Sequence, residues 1–106
     1  FNSKKEKIME KFEDLIQSQS PVLVDFSAEW CGPCKAMKPI LEDLKQQVGE
    51  KARIVKIDVD THEELAVKYR IQAVPTFILF KKGEAVWRHS GMIQASELKG
   101  VIEQYT

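Results

Sequence analysis

Residues 22–26, Val-Leu-Val-Asp-Phe, form an apolar run broken by a single carboxyl. They lead within five residues into Cys31-Gly32-Pro33-Cys34 and a long helical pattern. A short run of this kind, bounded by Ser20-Pro21, reads as a buried strand. It therefore requires neighbours that cover it. The stretch from Cys31 to Val48 places Ala36, Met37, Ile40, Leu41, Leu44 and Val48 on an inward helix face. Pro39 lies inside that stretch and should kink it. Gly49 suits its C-terminal cap.

The other segments alternate in type. Residues 5–18 carry Ile8, Phe12, Leu15 and Ile16 at helical spacing. Arg53 to Val59 reads as a second strand, and Thr61 with Glu64 as a capping box for a helix ending near Arg70. Thr76–Phe80 reads as a buried strand turned by Lys82-Gly83 into Ala85–His89, an antiparallel hairpin. Leu98, Val101, Ile102 and Tyr105 mark a closing helix. Strand, helix, strand, helix and hairpin together imply an α/β chain with a central mixed β-sheet flanked by helices on both faces. The first two strands, joined by a crossover helix, should be parallel.

Composition narrows the function. A chain of 106 residues, 43% hydrophobic and 30% charged, suits a single domain over residues 1–106 with a real core. Sixteen basic residues cancel sixteen acidic ones, which argues against nucleic acid or an anionic membrane as the main partner. No apolar run approaches the roughly 20 residues needed to cross a bilayer. The first residues lack the apolar core of a signal peptide. Phe1 leaves three readings open: a trimmed chain, the end left by leader removal, or a natural start at Met9.

The two cysteines stand three apart. So short a loop restrains the unfolded chain little, so the pair is better explained by chemistry than as a staple. At a strand-to-helix junction, free backbone N–H groups and the helix dipole favour a thiolate on the first turn. Cys31, at the very start, should be the exposed nucleophile. Cys34, one turn in, should be more buried and protonated, poised to resolve a mixed disulfide. Pro33 lacks an N–H, which matters little in a first turn, and it stiffens the loop. The alternative for Cys-x-x-Cys is half a zinc site. Its other ligands are limited to His62 and His89, which lack the required spacing and read as surface residues, so no metal is expected.

Several segments occur in the order found in one family: Val24-Asp25-Phe26, Ala28-Glu29-Trp30-Cys31-Gly32-Pro33-Cys34-Lys35, Ile40-Leu41 beyond Pro39, Lys56-Ile57-Asp58, Val74-Pro75-Thr76-Phe77 and Gly91. Over roughly residues 8–105 the chain resembles the thioredoxin family. The resemblance implies a thioredoxin fold with Cys31 at the tip of a long helix. It implies that Asp25 is a buried acid beneath the cysteines, able to take the Cys34 proton. An acid inside an apolar strand should be desolvated and its pKa raised, an Asp at a strand end that reaches solvent being the alternative. Lys56 matches the lysine that pairs with this acid, a solvated strand lysine being the alternative. Val74-Pro75 matches the family's cis-proline, although an X–Pro bond is cis only about 5% of the time. Trp30, Gly32, Pro33, Ala73, Val74, Gly91 and Met92 should then form a flat apolar patch for protein substrates. Two departures stand out. Ser27 takes a place where many bacterial relatives carry tryptophan, and residues 1–7 make a poor first strand.

For a thioredoxin-type thiol with pKa about 7, against about 8.5 for a free thiol, the thiolate fraction at neutral pH rises roughly 15-fold. Lower intrinsic nucleophilicity returns a factor of about five. The net gain is about threefold, so substrate alignment and resolution by Cys34 must supply most of the catalysis. The leading expectation is a protein disulfide reductase that binds no cofactor. Its partners are disulfide-containing proteins and a thioredoxin reductase delivering electrons from NADPH. It is expected to be a monomer in the cytoplasm, with the periplasm after leader removal as the alternative. An oxidant or isomerase, and a non-catalytic scaffold, are the competing readings. Gly32-Pro33 between the cysteines points to the reducing type.

Overall fold

The computed structural model describes residues 4–106. The elements run α1 (Lys4–Ile16), β1 (Val22–Ser27), α2 (Gly32–Val48), a 3₁₀ turn (Gly49–Lys51), β2 (Arg53–Asp58), α3 (Glu63–Lys68), β3 (Thr76–Lys81), β4 (Glu84–Ser90) and α4 (Ala95–Gln104). The sheet order is β2-β1-β3-β4. β1 and β2 pair in parallel, and β3 runs antiparallel to both β1 and β4. The expected mixed sheet with helices on both faces is what forms.

Alternation along β1 and β3 assigns side chains to two cores. Val22, Val24, Phe26, Ile78 and Phe80 face α1 and α3, where they meet Phe12, Ile16 and Leu65. Leu23, Phe77 and Leu79 face α2 and α4, where they meet Met37, Leu44, Val48, Leu98 and Ile102. β1 is buried at every position because both of its faces are covered. Lys82 and Gly83 both adopt positive φ, 51° and 86°, which matches the twist of a two-residue hairpin turn.

Local readings fail in three places. Ala36 is exposed, because α2 turns its Cys34–Met37–Leu44–Val48 stripe to the sheet, with Ile40 and Leu41 half-buried beside it. The Thr61–Glu64 capping box does not form: His62 is the N-cap of α3 without a side-chain cap bond, and the Thr61 hydroxyl bonds back to Asp58 O. That helix stops at Lys68, where the Arg88 guanidinium donates to the carbonyls of Tyr69 and Arg70, satisfying the chain leaving the helix. As expected of a poor strand, residues 4–7 instead start α1, and residues 1–3 lie outside the described residues. Elsewhere α2 continues through Pro39, and the N–H of Gly49 donates to Lys45 O as expected of a cap.

Candidate functional site

The end of β1 and the start of α2 bring the two cysteines together in a disulfide, with Cα atoms 5.2 Å apart. Cys31 is the N-cap residue of α2. The backbone N–H of Cys34 donates to Cys31 Sγ at 3.1 Å, so the sulfur takes the acceptor role that serine or aspartate plays in other helices. A thiolate at this position would meet both that donor and the positive end of a 17-residue helix.

The expected contrast in depth between the sulfurs is absent. Cys31 is 4% exposed and Cys34 5%. The N-cap geometry folds the first sulfur over the helix turn, and Val74 O lies 3.7 Å from it. The two differ instead in direction. Cys31 faces Val74, whereas Cys34 lines a cavity of about 200 Å³ with Asp25, Lys38, Leu41 and Lys56.

Asp25 sits in the middle of β1, 2% exposed, and pairs in register with Lys56 of β2 and Phe77 of β3. Burial raises its pKa to about 6, and the nearby charge of Lys56 holds it lower than burial alone would. Its Oδ1 has no hydrogen-bond partner. The Lys56 side chain is exposed, so it acts on Asp25 from the rim of the cavity.

The Val74–Pro75 peptide is cis. Pro75 O accepts the N–H of Gly91, whose φ of 97° turns the chain at the end of β4. The Thr76 hydroxyl donates to Ala73 O and also meets Ser90 Oγ, tying these loops together. Of the expected patch residues, Trp30 (71%) and Met92 (49%) are the most exposed large side chains beside the site. Gly32, Pro33 and Ala73 are exposed, and Val74 and Gly91 are half-buried. Trp30, Ala73 and Val74 line one shallow groove with Val59, Ile71 and Gln72. Sequence reading missed Asp60, whose carboxylate accepts the Trp30 indole N–H at 2.9 Å. Thirty residues separate the two, and nothing local signals the pairing.

The histidines are committed elsewhere. His62 Nδ1 lies beside the Thr61 hydroxyl and Asp58 O, and His89 Nε2 beside Met92 O. Among the described residues, no group of three or more His, Cys, Asp or Glu side chains is arranged to hold a metal ion. No helix among them is long and apolar enough to cross a membrane.

A Cys-x-x-Cys disulfide caps a helix beside a buried carboxyl, on a mixed sheet. The chain belongs to the thioredoxin family, whose model matches residues 3–104. It is 46% identical over 100 residues to Thioredoxin Y1, chloroplastic, of Arabidopsis thaliana, covering 93% of this chain and 58% of that one. It is 45% identical to Thioredoxin C-2 of Corynebacterium nephridii, covering 86% of this chain and 84% of that one. Among solved structures, a mutant thioredoxin from Halobacterium salinarum NRC-1 superposes with a TM-score of 0.83 at 40% identity, covering 92% of this chain and 84% of that one. The chain spans 58–60% of the length of the chloroplastic Y-type relatives.

Proposed function

We propose that this chain is a protein disulfide reductase. The Cys31 thiolate attacks a substrate disulfide, forms a mixed disulfide and expels one substrate thiolate. Asp25 accepts the proton of the Cys34 thiol. The Cys34 sulfur attacks Cys31 Sγ, the Cys31–Cys34 bond forms, the bond to substrate breaks, and the second substrate thiolate leaves. The substrate gains two electrons and the dithiol loses two. The observation that carries this reading is the Cys34 N–H aimed at Cys31 Sγ at a helix start, which supports an ionised sulfur there.

Lys56 keeps Asp25 from rising so far that it could not ionise near neutral pH. An extended substrate segment would lie along Val74 beside Pro75, in contact with Trp30, Gly32, Pro33, Ala73, Gly91 and Met92, pairing with backbone as in strand addition. Electrons return through a thioredoxin reductase using NADPH, without a cofactor held by this chain. Residues 1–106 act as one domain and as a monomer, in a reducing compartment such as the cytoplasm.

The test is reduction of a disulfide protein by this chain with NADPH and a thioredoxin reductase, followed by equilibration against glutathione. Turnover and an equilibrium more reducing than glutathione are expected. An intact dithiol that does not turn over would overturn the reading, and an oxidising equilibrium would favour an oxidant or isomerase.

A further inference from the structure

The end of β4 ties down the chain between α3 and β3 at three places. The Arg88 guanidinium donates to the carbonyls of Tyr69 and Arg70, the second at 2.7 Å. Ser90 Oγ meets the Thr76 hydroxyl at 2.9 Å, and that hydroxyl also donates to Ala73 O. The N–H of Gly91 donates to Pro75 O at 2.8 Å. Between these ties, residues 71–75 belong to no helix or strand. Yet this segment carries Val74, whose O lies 3.7 Å from Cys31 Sγ. Its residues 71–74 also line a groove of about 190 Å³ with Trp30 and Val59.

The exit of the segment is held by Ser90 and Gly91, whereas its entry turns on Arg70. Arg70 has a φ of 53°, a left-handed conformation that is unfavourable for a residue with a side chain. The φ and ψ of a residue are fixed by the peptide planes on either side of it. Tyr69 O belongs to the plane before Arg70, and Arg70 O to the plane after it. One guanidinium therefore grips both planes, which suits a rigid planar fork and not the point charge of an ammonium. The Ile71 N–H adds a bond to Ala66 O at 2.8 Å, and its side chain packs in the α1–α3 core. Those contacts tie the turn to α3. Arg88 ties it to the strand whose end also holds Pro75 and Thr76.

We infer that Arg88 is a positioning residue for substrate docking, fixing the Arg70 turn so that the 71–74 backbone stands ready beside Cys31. The inference rests on the reading of Val74 as the backbone partner of an extended substrate segment. Holding a binding segment in its bound shape lowers the ordering cost of association. Loss of the fork should therefore fall on docking and spare exchange at the sulfurs.

The test compares reduced chains by stopped flow on two disulfides, insulin and dithiobis(nitrobenzoate), the second having no peptide backbone to pair. Arg88→Ala should lower the second-order rate constant for insulin about fivefold, the scale of one hydrogen bond. Its rate constant for the small disulfide should change less than about twofold. Arg88→Lys keeps the charge and the stem but loses the fork, so it should lose at least about twofold on insulin alone. Amide exchange at residues 71–74 should quicken in both variants, with β1 and β3 unchanged. Insulin reduction by Arg88→Ala at the unaltered rate, equal losses on both disulfides, or full activity of Arg88→Lys would overturn the inference. If Arg88→Ala does not fold, Arg88→Lys decides by the same two rates. If the unaltered chain reduces the small disulfide and not insulin, the reading of the substrate fails. If it reduces both and the variants match it, the Arg88 inference alone fails.

Discussion

On the α1–α3 side of the sheet, Phe12, Tyr69 and Phe80 meet edge-on or tilted, with ring centroids 5.3–5.7 Å apart, over a floor of Val22, Val24, Phe26 and Ile78. On the α2–α4 side the same strand, β1, contributes Leu23 to an apolar core but also Asp25 and Ser27, both buried. A cavity opens there beneath Cys34. The first face gains aromatic contacts beyond simple area burial. The second gives up packing around an acid that burial destabilises when charged. One face is built to hold the fold and the other to hold a chemical state. A single strand can serve both because its side chains alternate.

The comparison can be broken most sharply at Cys34. Cys34→Ser should slow turnover of a disulfide protein by about ten-thousandfold or more, because an intramolecular attack is replaced by a bimolecular one. The mixed disulfide at Cys31 should accumulate and be visible by mass. Rapid turnover without that adduct would mean that resolution does not pass through this residue.

Phe12→Ala attacks the opposite face. Denaturant unfolding should show a loss of about 3–5 kcal/mol, as expected for emptying a buried aromatic site. Resolution by the folded fraction should be unchanged. A stability loss under about 1 kcal/mol would show that the aromatic face is not the foundation described.

Asp25→Asn tests the cost of the chemical face. The Asp25 pKa is raised to about 6, so its protonated form favours the fold. That stabilisation is complete below the ordinary value of 3.8 and is lost as pH rises through about 6. Asparagine stays neutral, so the variant should gain about 3 kcal/mol at pH 8. The gain should shrink between pH 6 and 4. An equal gain at pH 4 and pH 8 would assign it to packing instead.

The smallest effect is expected at the rim of the first face, where Lys68 Nζ meets Glu13 Oε1 at 2.9 Å with both side chains roughly half exposed. Lys68→Ala should cost less than about 0.5 kcal/mol and nothing in about 1 M salt. A larger, salt-insensitive loss would make this surface pair part of the aromatic core through Tyr69, over whose ring the ammonium lies at 5.5 Å.

Readings that depended on periodicity and on residues close in sequence matched the structure well. The order of elements, the parallel β1–β2 pair, the Lys82-Gly83 turn and the Gly49 cap all follow from local geometry. The failures share one cause. Ala36, Thr61 and the depth of Cys31 were judged from neighbours along the chain, but each was settled by what lies across from it. Trp30 with Asp60, and Arg88 closing α3, are long-range bonds with no local signature.

The amino-acid order by itself determined where a helix begins and that a cysteine stands at that point, because capping and side-chain alternation act over a few residues. Tertiary structure alone decided that Asp25 and Lys56 lie beside Cys34 in one cavity and that Val74 O faces Cys31 across 43 positions of sequence. Strand register and crossover connections bring those groups together, and desolvation depends on that closure rather than on any residue's identity.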